Sequence, residues 1–194
     1  MIKMKDLILS MINESTKAKK YLELQINYLL KISEIIYETL DKGNKLLVFG
    51  NGGSAADAQH IATELVGRFK EERKGLAAIA LTTDTSFLTA WSNDYEDGFK
   101  TIFERQVEAL AQPKDILWGI STSGNSENLL RAFKKGHEIG TYNFSLTGRD
   151  GGKLKELSDL NINIPLYNTP RIQEAHQLAY HIICEIVDNY FLTK

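Results

Sequence analysis

The sequence holds a single cysteine, Cys184, so no disulfide can close within the chain. Its setting in an apolar helical pattern makes it a small core residue and fits a reducing compartment. No apolar run approaches the ~20 residues of a membrane span. Near the start, Asp6, Ser10, Asn13 and Glu14 interrupt any apolar core a secretory signal would need. Neither sign of charge dominates: 23 Lys and Arg against 25 Asp and Glu leave a net charge of −2, which gives no electrostatic case for nucleic acid or an anionic membrane. Repeats, low-complexity segments and a long linker are also lacking. The expectation is one soluble cytoplasmic domain spanning residues 1–194. Its 43% hydrophobic and 25% charged residues suit a protein with a sizeable core.

Apolar runs and helical stretches alternate along most of the chain. Residues from about Lys5 to Leu40 carry a helical stripe (Leu22, Ile26, Leu29, Leu30, Ile32, Ile36, Leu40) extended at its start by Leu7, Ile8, Met11 and Ile12. This arm (residues 1–42) precedes the first strand, so it is no crossover. It covers a sheet edge, lies on its own domain or packs against another subunit, and its length favours the oligomer contact. Strands are expected at 46–49, 77–81, 115–120, 142–146 and 160–164. Helices are expected at 54–69, in segments up to Leu110, at 127–139, briefly to Leu157, and from a Thr169 cap with Pro170 at the first position to about Tyr190. Five apolar strands separated by helices predict a three-layer, doubly wound α/β fold with a five-stranded parallel sheet. Ligands in such sheets bind at the carboxyl ends of strands, near the switch point.

Two strand-to-helix turns fall at such ends. Ser121-Thr122-Ser123-Gly124-Asn125-Ser126 follows an apolar strand and opens a helix. Unpaired amides at a helix start, the helix dipole and several hydroxyls suit an anion such as phosphate. The loop has no lysine and no Walker pattern, so it is not a nucleotide loop; a serine-rich turn with a good cap would use the same residues. Asn51-Gly52-Gly53-Ser54 is the second turn. Ser54 and Asp57 fit a capping box, and the glycines permit close backbone approach, yet the dinucleotide fingerprint is not met.

Beyond that turn, His60 and Glu64 stand four positions apart on one helix face, a spacing that serves a metal, an acid–base pair or an ordinary surface contact. On the last helix, Glu174 aligns best with His181, seven positions on, while Gln173 is offset by about 80° at 100° per residue; both pairs could face one cleft, so both stay open. Asn93 and Asp94, in a loop after Trp91, hold sugar hydroxyls or cap a helix. Arg68 and Arg171 are candidate anion partners or solvated surface groups.

Taken together, the segments Phe49 to His60, Glu64 to Phe69, Ile120 to Ser126 and Arg171 to His176 resemble the phosphoheptose isomerases of the sugar-isomerase (SIS) domain family. The resemblance implies a flavodoxin-like strand order, a homotetramer, and no nucleotide cofactor. It implies that Ser121, Thr122, Ser123 and Ser126 cradle phosphate and that Asn51, Gly52, Gly53, Ser54, Asn93 and Asp94 hold the sugar. His60, Glu64, Gln173 and His181 match zinc-binding positions, with Glu64 as base, His181 as acid partner and Gln173 also near substrate. The implied reaction interconverts sedoheptulose 7-phosphate and D-glycero-D-manno-heptose 7-phosphate through an enediol, for heptose units of lipopolysaccharide or capsule. A non-catalytic SIS module, or an isomerase of another phosphosugar, is the alternative.

Overall fold

The computed structural model describes residues 3–193; the outermost ends of the expected domain and arm, residues 1–2 and 194, lie outside it. Five strands, β1 (Leu46–Gly50), β2 (Ala78–Ala80), β3 (Ile116–Ser121), β4 (Tyr142–Gly148) and β5 (Leu160–Ile164), form one all-parallel sheet in the order β2-β1-β3-β4-β5. The flavodoxin-like order expected from sequence is therefore the one observed. β1 and β3, both buried along their whole length, run side by side, with Leu46 opposite Ile116 and Gly50 opposite Ile120. The order reverses there, so the turns leaving β1 and β3 open towards each other.

Helices α1 (Met4–Lys20), α2 (Ile26–Asp41), α3 (Gly53–Val66) and α8 (Thr169–Leu192) gather on one core, in which Ile32, Ile36, Ile61, Tyr180 and Ile183 are fully buried. The other face is covered by α4 (Thr85–Asp94), α5 (Gly98–Leu110), α6 (Glu127–Ile139) and α7 (Gly152–Glu156), around Phe49, Phe103 and Phe133. Phe49 meets Phe133 edge-on at 5.9 Å, a favoured aromatic geometry.

The N-terminal arm divides in two. α2 buries Leu29, Ile32, Ile36 and Leu40 and is a layer helix of the domain. α1 buries only Ala18, while Ile8, Leu9, Met11 and Ile12 remain exposed. A short 3-10 segment, Tyr21–Gln25, joins them, and its Gln25 amide exchanges two 2.9 Å bonds with the backbone of Asn163. That side chain satisfies part of the open edge of β5, as an edge strand requires.

Some boundaries differ from the sequence reading for local reasons. α3 stops at Val66, not Phe69, because Gly67 leaves helical geometry and Arg73 caps the helix end, bonding the carbonyls of Glu64 (2.7 Å) and Leu65 (2.8 Å). Arg73 also pairs with Asp188 at 2.6 Å, both side chains being only 4% exposed. Asn168 rather than Thr169 takes the N-cap position of α8, without a side-chain cap bond, and Pro170 is still in the first turn. The segment containing Asn93 and Asp94 is not a loop but the end of α4, a helix started by the Asp84 carboxylate accepting from the Phe87 amide at 2.9 Å.

Candidate active site

The serine loop leaves β3 and turns into α6. Ser121 Oγ lies 3.4 Å from Ser123 Oγ and 3.5 Å from Ser126 Oγ, and the Gly124 amide donates to Ser121 Oγ at 3.1 Å. Three hydroxyls therefore converge, with half-buried Thr122 beside them. The N-cap Ser126 makes no side-chain cap bond, which leaves the first α6 amides available to an anion. Gly124 is required here. Its φ is +65°, and a Cβ would come within 1.9 Å of the Gly151 carbonyl oxygen.

The neighbouring turn, Asn51 to Ser54, leaves β1 and starts α3. The capping box expected of Ser54 and Asp57 does not form. Gly52, at φ 58°, takes the N-cap position, Ser54 is buried inside the helix, and the Asp57 carboxylate turns towards α8. Asn51 is partly engaged already. It exchanges two bonds with Asn128 of α6, of 3.0 and 2.9 Å, so that the two turns are joined by a reciprocal amide pair. Asn51 keeps one further N–H and one acceptor lone pair for a ligand, while Asn128 keeps only an N–H, because its Oδ1 also accepts from the Leu129 amide at 3.1 Å. Gln173 lies over Gly53, whose Cβ would meet Gln173 Nε2 at 2.6 Å. A cleft of about 550 Å³ opens from Asn51 and Gly52 past Thr82, Ser92 and Asn93 to Phe99. Asp94 is exposed at its helix end and accepts a 3.1 Å bond from the Asn93 amide.

Two and three turns into α3 stand His60 and Glu64, their side chains 44% and 17% exposed, with His60 Nε2 2.9 Å from Glu64 Oε1. From α8, His181 brings its Nε2 to 3.4 Å from His60 Nε2. One ligand atom from each of the three residues lies within 4.8 Å of the other two. Burial, then the His60 ring beside it, pushes the His181 imidazole below its ordinary value. Asp57 is moved the other way, since burial raises its carboxyl while bonds from Gln177 and Tyr180 pull it down.

Of the two open partners of His181, Glu174 is held by Arg171 at 2.9 Å, and Arg171 reaches on to the Met11 carbonyl at 3.1 Å. Arg171 thus ties α8 to α1. Arg68 is exposed and bonds the Lys70 carbonyl. Asn128, Asp57 and Tyr180 escaped the sequence reading as site residues. For Asp57 a signal existed: it lies three positions before His60 on the same helical face.

A sequence-family model described as SIS domain matches residues 12–148. The phosphoheptose isomerase of Aquifex aeolicus (strain VF5) is 55% identical over 176 residues, covering 90% of this chain and 91% of its own. That of Aliarcobacter butzleri (strain RM4018) is 58% identical over 170 residues, covering 88% and 89%. The chain belongs to the phosphoheptose isomerase family of SIS domain proteins.

Solved structures of the family superpose along nearly the whole length. The phosphoheptose isomerase GmhA of Neisseria gonorrhoeae gives a TM-score of 0.90 at 42% identity, covering 96% of this chain and 100% of that one. The phosphoheptose isomerase of Francisella tularensis gives 0.91 at 37%, covering 97% and 100%. In this family member the serine loop, the glycine turn and the His60–Glu64–His181 group all come from the elements on which the sequence located them. No helix among the described residues is long and apolar enough to cross a membrane.

Proposed function

We propose that the protein is an aldose–ketose isomerase that interconverts sedoheptulose 7-phosphate and D-glycero-D-manno-heptose 7-phosphate, a soluble cytoplasmic enzyme making heptose precursors for lipopolysaccharide or capsule. The observation that carries the reading is the meeting of a carboxylate and two imidazoles, from helices far apart in sequence, in a chain this similar to phosphoheptose isomerases.

The serine loop (Ser121, Thr122, Ser123, Ser126) and the start of α6 bind the phosphate. Asn51, Gly52, Gly53, Ser54, Asn93, Asp94 and Gln173 hold the sugar chain along the cleft. Binding energy from the phosphate end thereby orients the carbonyl end. Glu64 moves the carbon-bound proton between C1 and C2, and His181 gives and takes the proton at the oxygens. The enediol lies between these two transfers. Glu64 has two carboxylate oxygens: Oε1 faces His60, and the other is the one that meets the carbon-bound proton.

The donor set also fits a divalent cation, zinc in our reading. Two imidazole nitrogens 3.4 Å apart match the edge of a tetrahedron with ~2.0–2.1 Å bonds, about 3.3 Å, and the carboxylate completes one face. His60, Glu64, Gln173 and His181 would hold it. Bound there, the ion would supply Lewis-acid polarisation of the carbonyl. The assembly we propose is a homotetramer. The exposed stripe of α1 and an apolar groove of about 500 Å³ between α1, α2 and α8, lined by Leu29, Leu30, Leu178 and Ile182, support a subunit contact.

The test is turnover of sedoheptulose 7-phosphate by purified protein, with zinc and with chelator, beside Glu64→Gln. Wild type converts the ketose, and the variant loses activity by at least about a hundredfold, the lower range for a general base. Wild type that leaves the ketose untouched under both metal conditions overturns the reading, and turnover of another phosphosugar would redirect it.

A further inference from the structure

Behind His60, on the side turned away from Glu64 and His181, lie two buried polar groups without a part in the scheme above. Tyr180, fully buried, has its hydroxyl 3.0 Å from His60 Nδ1. The same hydroxyl lies 3.4 Å from Asp57 Oδ1, which also accepts from Gln177 Nε2 at 3.4 Å. Asp57 is 5% exposed, and both of these partners are neutral. A buried carboxylate held only by neutral donors is expensive where a neutral residue would pack as well.

Counting hydrogens limits what this chain of groups can do. The hydroxyl has one hydrogen and two acceptors to choose between. If it donates to His60 Nδ1, the ring proton sits on Nε2, pointed at Glu64, and the nitrogen facing His181 has no lone pair to offer. If it donates to Asp57, its oxygen accepts Nδ1–H and the Nε2 lone pair is free. Metal-binding histidines are held in the second arrangement by a carboxylate or carbonyl on the far nitrogen. Here a tyrosine stands between the histidine and the carboxylate.

We infer that Asp57 and Tyr180 are positioning residues that hold His60 in its Nδ1–H form and so present its Nε2 lone pair to a divalent cation. The inference rests on the metal reading above. The relay is anchored at both ends of the His60–His181 contact: Asp57 shares α3 with His60, and Tyr180 precedes His181 on α8. It therefore sets the ring's orientation and its tautomer together.

The experiment is a titration of metal-free protein with Co²⁺, followed by visible absorption, for wild type, Tyr180→Phe, Asp57→Asn and His60→Ala. Thermal melts of the metal-free proteins run alongside. Tyr180→Phe keeps the buried ring, and Asp57→Asn keeps the volume, so either one carries the test if the other does not fold. Both are expected to bind Co²⁺ 10- to 100-fold more weakly than wild type, the usual loss on removing an outer partner of a ligand, with His60→Ala losing the absorption band. Wild-type affinity in a folded Tyr180→Phe or Asp57→Asn overturns the positioning role and leaves the metal reading intact. A wild type that gives no band overturns the metal reading, and the relay with it.

Discussion

His176 allows a stability prediction worked from one residue. It is fully buried on α8, with Nε2 2.9 Å from the Thr147 carbonyl, and its Nδ1 has no partner among the described residues. Burial pushes the imidazole from 6.5 down to about 4, against the pull of the Thr147 bond. Above pH 6.5 both folded and unfolded chains hold it neutral, and it contributes no pH dependence. As pH falls through 6.5, the unfolded chain takes up a proton that the folded chain refuses, and stability is lost until about pH 4. The loss from this group is roughly 2 kcal/mol at pH 5 and about 3 kcal/mol at its limit, from 1.36 kcal/mol per pH unit. Urea denaturation at pH 8 and pH 5, at one protein concentration, measures it against His176→Gln, which retains an amide donor for Thr147 and does not titrate. Wild type should lose about 2 kcal/mol more than the variant between these pH values. Parallel losses in the two proteins would refute the assignment of a buried, neutral His176.

Two further outcomes follow from the geometry. Gly124→Ala places a methyl group against the Gly151 carbonyl at a left-handed φ; we expect a stability loss of about 1–2 kcal/mol or more and a KM for the sugar phosphate raised roughly tenfold, read by melting and steady-state kinetics. Unchanged KM would separate the serine loop from substrate. Ile8→Glu combined with Ile12→Glu alters only exposed positions of α1, so each folded subunit should keep its stability within about 0.5 kcal/mol while the particle shrinks on size-exclusion chromatography. An unchanged elution volume would remove α1 from the subunit contact.

The sheet was legible because β1 and β3 are uninterrupted apolar runs, buried on both faces, which only a covered parallel sheet produces. The two turns and the His60/Glu64 pair were legible for a related reason: they occupy fixed places relative to those strands. What the chain hid depends on distant partners. Asp57 looks like half of a capping box until α8 supplies Tyr180. Arg73 sits in a charged stretch, Glu71-Glu72-Arg73-Lys74, and reads as solvated, yet it is buried against Asp188. Asn128 carries no local mark at all, because its pairing with Asn51 exists only once β1 and β3 are neighbours. Asn93 and Asp94 look like loop residues because small polar residues stand beside them, yet they end a helix that the Asp84 cap starts.

The His60–Glu64–His181 group, in which we propose a cation binds, joins residues 121 positions apart. An unfolded chain offers only the local pair His60 and Glu64, so any divalent ion held there binds the native form far better than the denatured one, and mass action then adds to stability. Cellular metal supply would thus govern two quantities at once, the turnover of each molecule and the number of molecules that escape proteolysis. Under metal starvation the flux would fall faster than the catalytic constant alone accounts for, and part of that fall would persist as missing protein after the metal returned.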